Sequence, residues 1–200
     1  MSNPNQKVIP ITANVEVKVF DKNGILIAQE TKEADLLTIN SSHHLFCAII
    51  GGSSNVFDET GMSKGISNED VSYGYGYNYF TQFFKQVYKI AIGLDDTAPA
   101  YTDFKLVNKH AETTSVTYGA CLDKDTYSEF SVQATITLSI EKIIKEVGLF
   151  GRSYRYGNAI TFVTPDVWWL SARDVLSPSV TVPAGSSITI KYTFRVGLPP

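Results

Sequence analysis

Ser179-Val180-Thr181-Val182, then Pro183-Ala184-Gly185, then Ser187-Ile188-Thr189-Ile190-Lys191-Tyr192-Thr193-Phe194-Arg195-Val196: this stretch decides the fold. In its longer run Ile188, Ile190, Tyr192, Phe194 and Val196 share one face, and Thr189, Lys191, Thr193 and Arg195 share the other. A period of two marks a strand with one buried face. The Pro-Ala-Gly interval reads as the turn between two strands.

The same pattern recurs upstream. Val15, Val17 and Val19 alternate with Glu16 and Lys18, and Asp21-Lys22-Asn23-Gly24 follows. Asn-Gly tolerates the positive φ that tight hairpin turns need, so Ile25 to Thr31 is expected to return as the partner strand. Further strands are expected at Val87–Gly93, Glu112–Cys121, Ser128–Leu138, Ile143–Phe150, Asn158–Val163 and Val167–Val175. A short helical turn is expected over Thr102–Asn108, placing Phe104, Leu106 and Val107 inward.

One segment changes period. Leu36, Leu37, Ile39, Leu45, Phe46, Ile49 and Ile50 lie at helical spacings, and Gly51-Gly52 ends the run. One helix is expected within 34–50, or a shorter one over 42–50 capped by Ser41 or Ser42. Residues 51–85 read as a long, irregular insertion rich in Gly, Ser and Asn, and later in Tyr. The expected fold is therefore mainly β: one antiparallel β-sandwich over 1–200, jelly-roll-like, with one short helix and a long Gly/Tyr-rich loop insertion. Residues 1–12 are expected to form a flexible N-terminal arm.

Composition narrows the function. Hydrophobic residues make up 44% of the 200 positions, too many for a disordered chain. Charged residues make up 18%, below the usual quarter or so, as in a protein that hides surface in an assembly. The net charge of −3 supplies no basic field for nucleic acid. No apolar run reaches the roughly 18 residues of a membrane helix. The opening MSNPNQKVIP has no apolar stretch of the kind a secretory signal carries. Two cysteines, Cys47 and Cys121, make no disulfide scaffold.

No constellation of residues announces catalysis. His43 and Cys47 would share a helix face, but two ligands do not make a metal site. Asp95, Asp96 and Asp103, and the pairs Asp58-Glu59 and Glu69-Asp70, lack calcium-loop spacing. Glu16, Glu129, Glu141 and Glu146 lie on or near strands without any two standing out as a glycosidase pair. Gly-x-Ser-x-Gly is absent. No cofactor and no metal is expected. The unusual feature is aromatic. Tyr73, Tyr75, Tyr77 and Tyr79 would share a face if extended, with Phe80 beside them and glycines between. Such a run suits a recognition surface, against a neighbouring subunit, a sugar or its own sandwich. Trp168 and Trp169 are adjacent in strand-like sequence, so one ring should face in as core and the other out, as interface or stacking platform.

Several segments resemble structural proteins of tailed phages and related archaeal viruses. They are Ile144-Lys145-Glu146-Val147-Gly148-Leu149-Phe150, Leu170-Ser171-Ala172-Arg173-Asp174-Val175-Leu176-Ser177-Pro178, the closing strand pair, Ile92-Gly93-Leu94-Asp95-Asp96-Thr97-Ala98-Pro99, and Leu106 with Asn108. Val15–Val19 with Lys22-Asn23-Gly24 resembles the start of such chains. The likeness spans about two-thirds of the chain and leaves out 51–85. It implies a non-enzymatic virion structural protein, a capsid or tail component of a bacteriophage or archaeal virus. Such a protein is made in host cytoplasm and packaged into virions, with copies of itself and other virion proteins as partners. A tail-fibre module recognising a host-surface glycan is the alternative. Arg173 is expected to form a structural ion pair with Glu146 or Glu141 across strands.

Overall fold

The computed structural model describes residues 11–34, 38–41, 43, 53–67, 88–124, 126–153 and 167–197. Twelve strands follow in chain order: β1 Ile11–Phe20, β2 Leu26–Glu33, β3 Ser53–Phe57, β4 Ser63–Ser67, β5 Tyr88–Gly93, β6 Lys109–Thr113, β7 Val116–Tyr118, β8 Leu122–Asp123, β9 Tyr127–Thr137, β10 Lys142–Ser153, β11 Val167–Val182 and β12 Ser187–Gly197. All pairings are antiparallel. One sheet runs β2-β1-β12-β9-β7, with β8 also on β9. A second runs β11-β10-β5-β6, and β3-β4 stand apart as a hairpin.

The two larger sheets face each other over one core. From the first sheet come Val15, Val17, Val19, Val132, Ala134, Ile136, Ile188, Ile190 and Tyr192. From the second come Ile90, Ile92, Ile144, Val147, Leu149, Ala172, Val180 and Val182. The alternation in β1, β9 and β12 is what the sequence predicts, because each has one face on this core and one in water. The second sheet is covered on both faces. Its outer side carries a small second core of Ala91, Leu106, Phe150 and Leu170, with Trp168 against it. Strands buried on two sides lose their alternation, and β5 accordingly reads Ile90-Ala91-Ile92 without a polar break.

The Asp21–Gly24 turn forms as expected. Gly24 has φ +80°, and the Asp21 carboxylate accepts the backbone N–H groups of Asn23 and Ile25, both at 2.8 Å. Other expectations need correction. β1 begins at Ile11 and pairs Ile11 with Val196, so the last two residues of the expected arm belong to the sheet; residues 1–10 lie outside the described residues. The insertion is not irregular throughout, since β3 and β4 pair Ser53–Phe57 with Ser63–Ser67. Serine and asparagine hide this hairpin, and Asp58 closes it by accepting Thr60 N–H at 2.9 Å and Met62 N–H at 3.0 Å. The helix starts earlier than a Ser41 cap would place it: residues 39–41 and 43 are helical. Ser41 is inside it, and its hydroxyl donates to the Ser171 carbonyl at 2.7 Å instead of capping.

Thr102–Asn108 forms turns and bends rather than a helical turn, with Leu106 buried but Val107 exposed. The expected strand over 112–121 is broken: β6 stays in the second sheet, and β7 crosses to the first. The segments expected at 167–175 and 179–182 are one strand, interrupted by a wide bulge. Glu146 pairs with Val175 and Ile144 with Val180, so four residues of β11 stand opposite one of β10. Asn158–Val163 lies outside the described residues.

Core truncation should separate from surface truncation. Ile190→Ala, at a fully buried position, is expected to cost about 3 kcal/mol in urea denaturation. Ile27→Ala, on exposed β2, should stay within about 0.5 kcal/mol.

Candidate functional site

The densest polar arrangement lies under the connector between β5 and β6. Glu146, on β10, is fully buried, and so is Arg173, on β11. Arg173 Nε donates to Glu146 Oε2 at 2.8 Å, and its Nη1 donates to Asp103 Oδ2 at 2.9 Å. Its Nη2 donates to the Thr97 carbonyl at 2.9 Å and Nη1 also reaches the Ala98 carbonyl at 3.4 Å. Glu146 in turn accepts the backbone N–H of Asn108 at 2.8 Å and of Val107 at 3.2 Å. Two buried charges thus hold both ends of one connector, residues 94–108. The room for Glu146 comes from Gly93. A Cβ there would sit 2.4 Å from Glu146 Oε1 and 2.8 Å from the Asn108 carbonyl. Of the two partners the sequence offered Arg173, the structure selects Glu146.

A second cluster lies nearby. Lys89, on β5, has a side chain only 3% exposed. Its Nζ meets Glu59 at 2.5 Å and Glu112 at 3.0 Å. Lys109 meets the same two carboxylates at 2.6 and 2.8 Å. Burial works against the charge on Glu112, but hydrogen bonds from Lys109 and Lys89 outweigh it and hold the carboxyl below its ordinary value. Burial likewise opposes the charge on Lys109, yet its bonds to Glu112 and Glu59 leave it above the ordinary lysine value. Lys89 Nζ also lies over the rings of Phe150 and Trp168, at 4.8 and 4.9 Å from their centroids. The cluster therefore joins the β3–β4 turn, β5, β6 and the aromatic outer face of the second sheet.

The sequence candidates separate under this geometry. Tyr73, Tyr75, Tyr77, Tyr79 and Phe80 lie outside the described residues. Trp169 is buried, at 2% exposure, without belonging to the core between the two sheets, and its backbone bridges Asp58. Trp168 is the outer ring, half-buried beneath the Lys89 ammonium. His43 bonds the Asn55 carbonyl through Nδ1. Cys47 lies outside the described residues, and Cys121 is a free, exposed thiol. The three aspartates considered for calcium serve the connector instead. Asp95 accepts Thr97 N–H, Asp96 meets Lys145 at 2.9 Å, and Asp103 meets Arg173. Hydrogen bonds from Thr97 and from Lys145 hold Asp95 and Asp96, respectively, below the ordinary carboxylate value. Among the described residues no group of three or more His, Cys, Asp or Glu side chains is placed to hold a metal ion. Nor, among them, is any helix long and apolar enough to cross a membrane.

Sequence reasoning missed the Lys89 cluster. Its one local signal is a lysine inside an otherwise apolar strand, Tyr88-Lys89-Ile90-Ala91-Ile92. No protein-family model, curated protein or solved structure matches the chain.

Arg173→Met leaves the buried Glu146 charge without its cation and should cost about 3–5 kcal/mol, whereas Glu146→Gln leaves Arg173 only its Asp103 partner and should cost less. Denaturant titration of both singles and the double should show strong non-additivity, since the two side chains share one network. Tyr88 gives a second test. Burial, with a smaller effect from Tyr118, pushes its phenol from 10.0 up to about 12. A raised phenol stabilises the fold below its unfolded value, and that contribution is lost as pH climbs from 10.0 to about 12. Compared with Tyr88→Phe, the native protein should therefore lose about 1 kcal/mol between neutrality and about pH 11 in denaturation midpoints corrected for m.

Proposed function

We propose that this chain is a non-enzymatic structural protein of a phage or archaeal virus, built into the virion as a capsid or tail component beside copies of itself. One observation carries the reading. Four of the segments that resemble virion structural proteins, spread over about 80 positions of sequence, meet in one place. Gly93, Thr97, Ala98 and Asn108 from the first pair of segments surround Glu146 and Arg173 from the second pair. Leu106 packs on Phe150 and Leu170 in the same region. Segments that form one physical unit would be kept together, which supports a shared structural plan rather than chance likeness. The charges in this unit are bonded to one another and to backbone, an arrangement suited to holding a connector. The jelly-roll-like winding and the virion location belong to this proposal.

The glycan-recognition alternative has less behind it. Of the two tryptophans, Trp169 is buried and Trp168 already carries a lysine ammonium over its ring.

Electron microscopy with mass analysis of the purified protein across a concentration series tests the proposal. Rings, tubes or shells are expected as concentration rises. A monomer at every concentration that also fails to co-purify with virions would overturn it.

A further inference from the structure

The β3–β4 hairpin is held differently from every other strand pair. Among the described residues it joins neither larger sheet by a ladder, and its only backbone pairing outside itself is the isolated bridge from Asp58 to Trp169. A two-stranded hairpin has marginal stability on its own, so its order depends on its attachments. Those attachments are mostly polar. Asn40, on the short helix, donates to the Phe57 carbonyl at 2.9 Å and accepts Phe57 N–H at 2.7 Å. His43 bonds the Asn55 carbonyl. Glu59 binds Lys89 and Lys109. Among the described residues the apolar attachments are Val56, which is fully buried, and the Phe104 ring against Gly61.

We propose that this hairpin is a strap that opens as a unit while the sandwich stays folded, releasing Lys89 on the outer face of the second sheet from Glu59. The physical reason is the imbalance of losses. Opening exchanges hydrogen bonds and the partly exposed Lys109–Glu59 ion pair for contacts with water, a nearly even trade. Lys89 regains hydration at the same time, which offsets the loss of Glu59. Among the described residues, apolar burial, the term that water does not replace, is forfeited at Val56 and at the Phe104 contact. Opening β5, β10 or β12 would instead break ladders on both sides and expose the main core. Regions with few buried apolar contacts populate open states far more often than core strands do. The strap is thus a built-in switch between a Lys89 held by Glu59 and a Lys89 released from it.

Native-state hydrogen exchange on the full chain tests this directly. Amides of β3 and β4 are expected to exchange together, at least about tenfold faster than those of β9 and β12, where tenfold corresponds to a difference of about 1.4 kcal/mol in opening. Raising the salt concentration should speed the hairpin alone, because Glu59 and Lys109 are partly exposed and therefore screened. Glu59→Gln should speed it by about a further tenfold and leave β9 and β12 unchanged. Exchange of the hairpin at the rate of β12 in the wild-type protein, at low and at high salt, would overturn the proposal. So would a Glu59→Gln effect that spreads equally to β9 and β12. If the variant fails to fold, the wild-type salt series decides the matter alone.

Discussion

Everything on the outer side of the second sheet depends on burying a guanidinium and a carboxylate together. Neither Arg173 nor Glu146 tolerates that position alone, since a buried charge without a partner costs several kcal/mol. Together they still leave donors and acceptors to satisfy, and the chain meets that need with the carbonyls of Thr97 and Ala98, the carboxylate of Asp103 and the N–H groups of Val107 and Asn108. The connector 94–108 has little regular structure of its own. Its course is fixed because its backbone is the solvation shell of an ion pair. Leu106 is delivered onto Phe150 and Leu170 as a result, which closes the second core.

The parts legible in the sequence were those governed by one variable. β1, β9 and β12 have one dry face and one wet face, so their period of two survives. The Asn23-Gly24 turn was legible because its backbone requires a positive φ. The pairing of Arg173 with an acidic residue was legible because Arg173 sits near a strand end where Glu146 or Glu141 could oppose it across strands. What escaped depends on contacts between distant segments. The β3–β4 hairpin has weak strand composition and is held by Asn40, Glu59 and Trp169, all remote from it or in its turn. The early helix start follows from Thr38, whose hydroxyl donates to the Leu170 carbonyl at 2.6 Å and whose N–H donates to the Ser171 carbonyl at 3.0 Å, at an irregularity in β11. No local pattern announces such an acceptor.

The strand edges bear on how such a protein meets its neighbours. β2 has a bulge near its start, and its Lys32 is turned across the sandwich to the Val175 carbonyl at 2.8 Å. β7 and β8 are three and two residues long. β6 carries Lys109 and Glu112. β11 has its four-residue bulge. Each of these devices discourages sheet-to-sheet addition. Under the proposed assembly, contacts between copies would be made by side chains and loops rather than by extending a sheet, even in a chain with a low share of charge.

The placement of β12 also dictates an order of events. It lies between β1 and β9, in register with both along its length. β1 is made before β2 to β11, and its second neighbour, β12, only after all of them. Until then the β1–β2 hairpin can form but has no partner for its other side, and Val15, Val17 and Val19 wait in water. Such non-local closure makes for slow folding, and the waiting strand is the segment most in need of a chaperone's shelter. The step that completes the first sheet is an insertion rather than an addition at its margin, so a nascent chain stalled before Ser187 would hold the second sheet but only two separate pieces of the first, β2-β1 and β9 with β7 and β8.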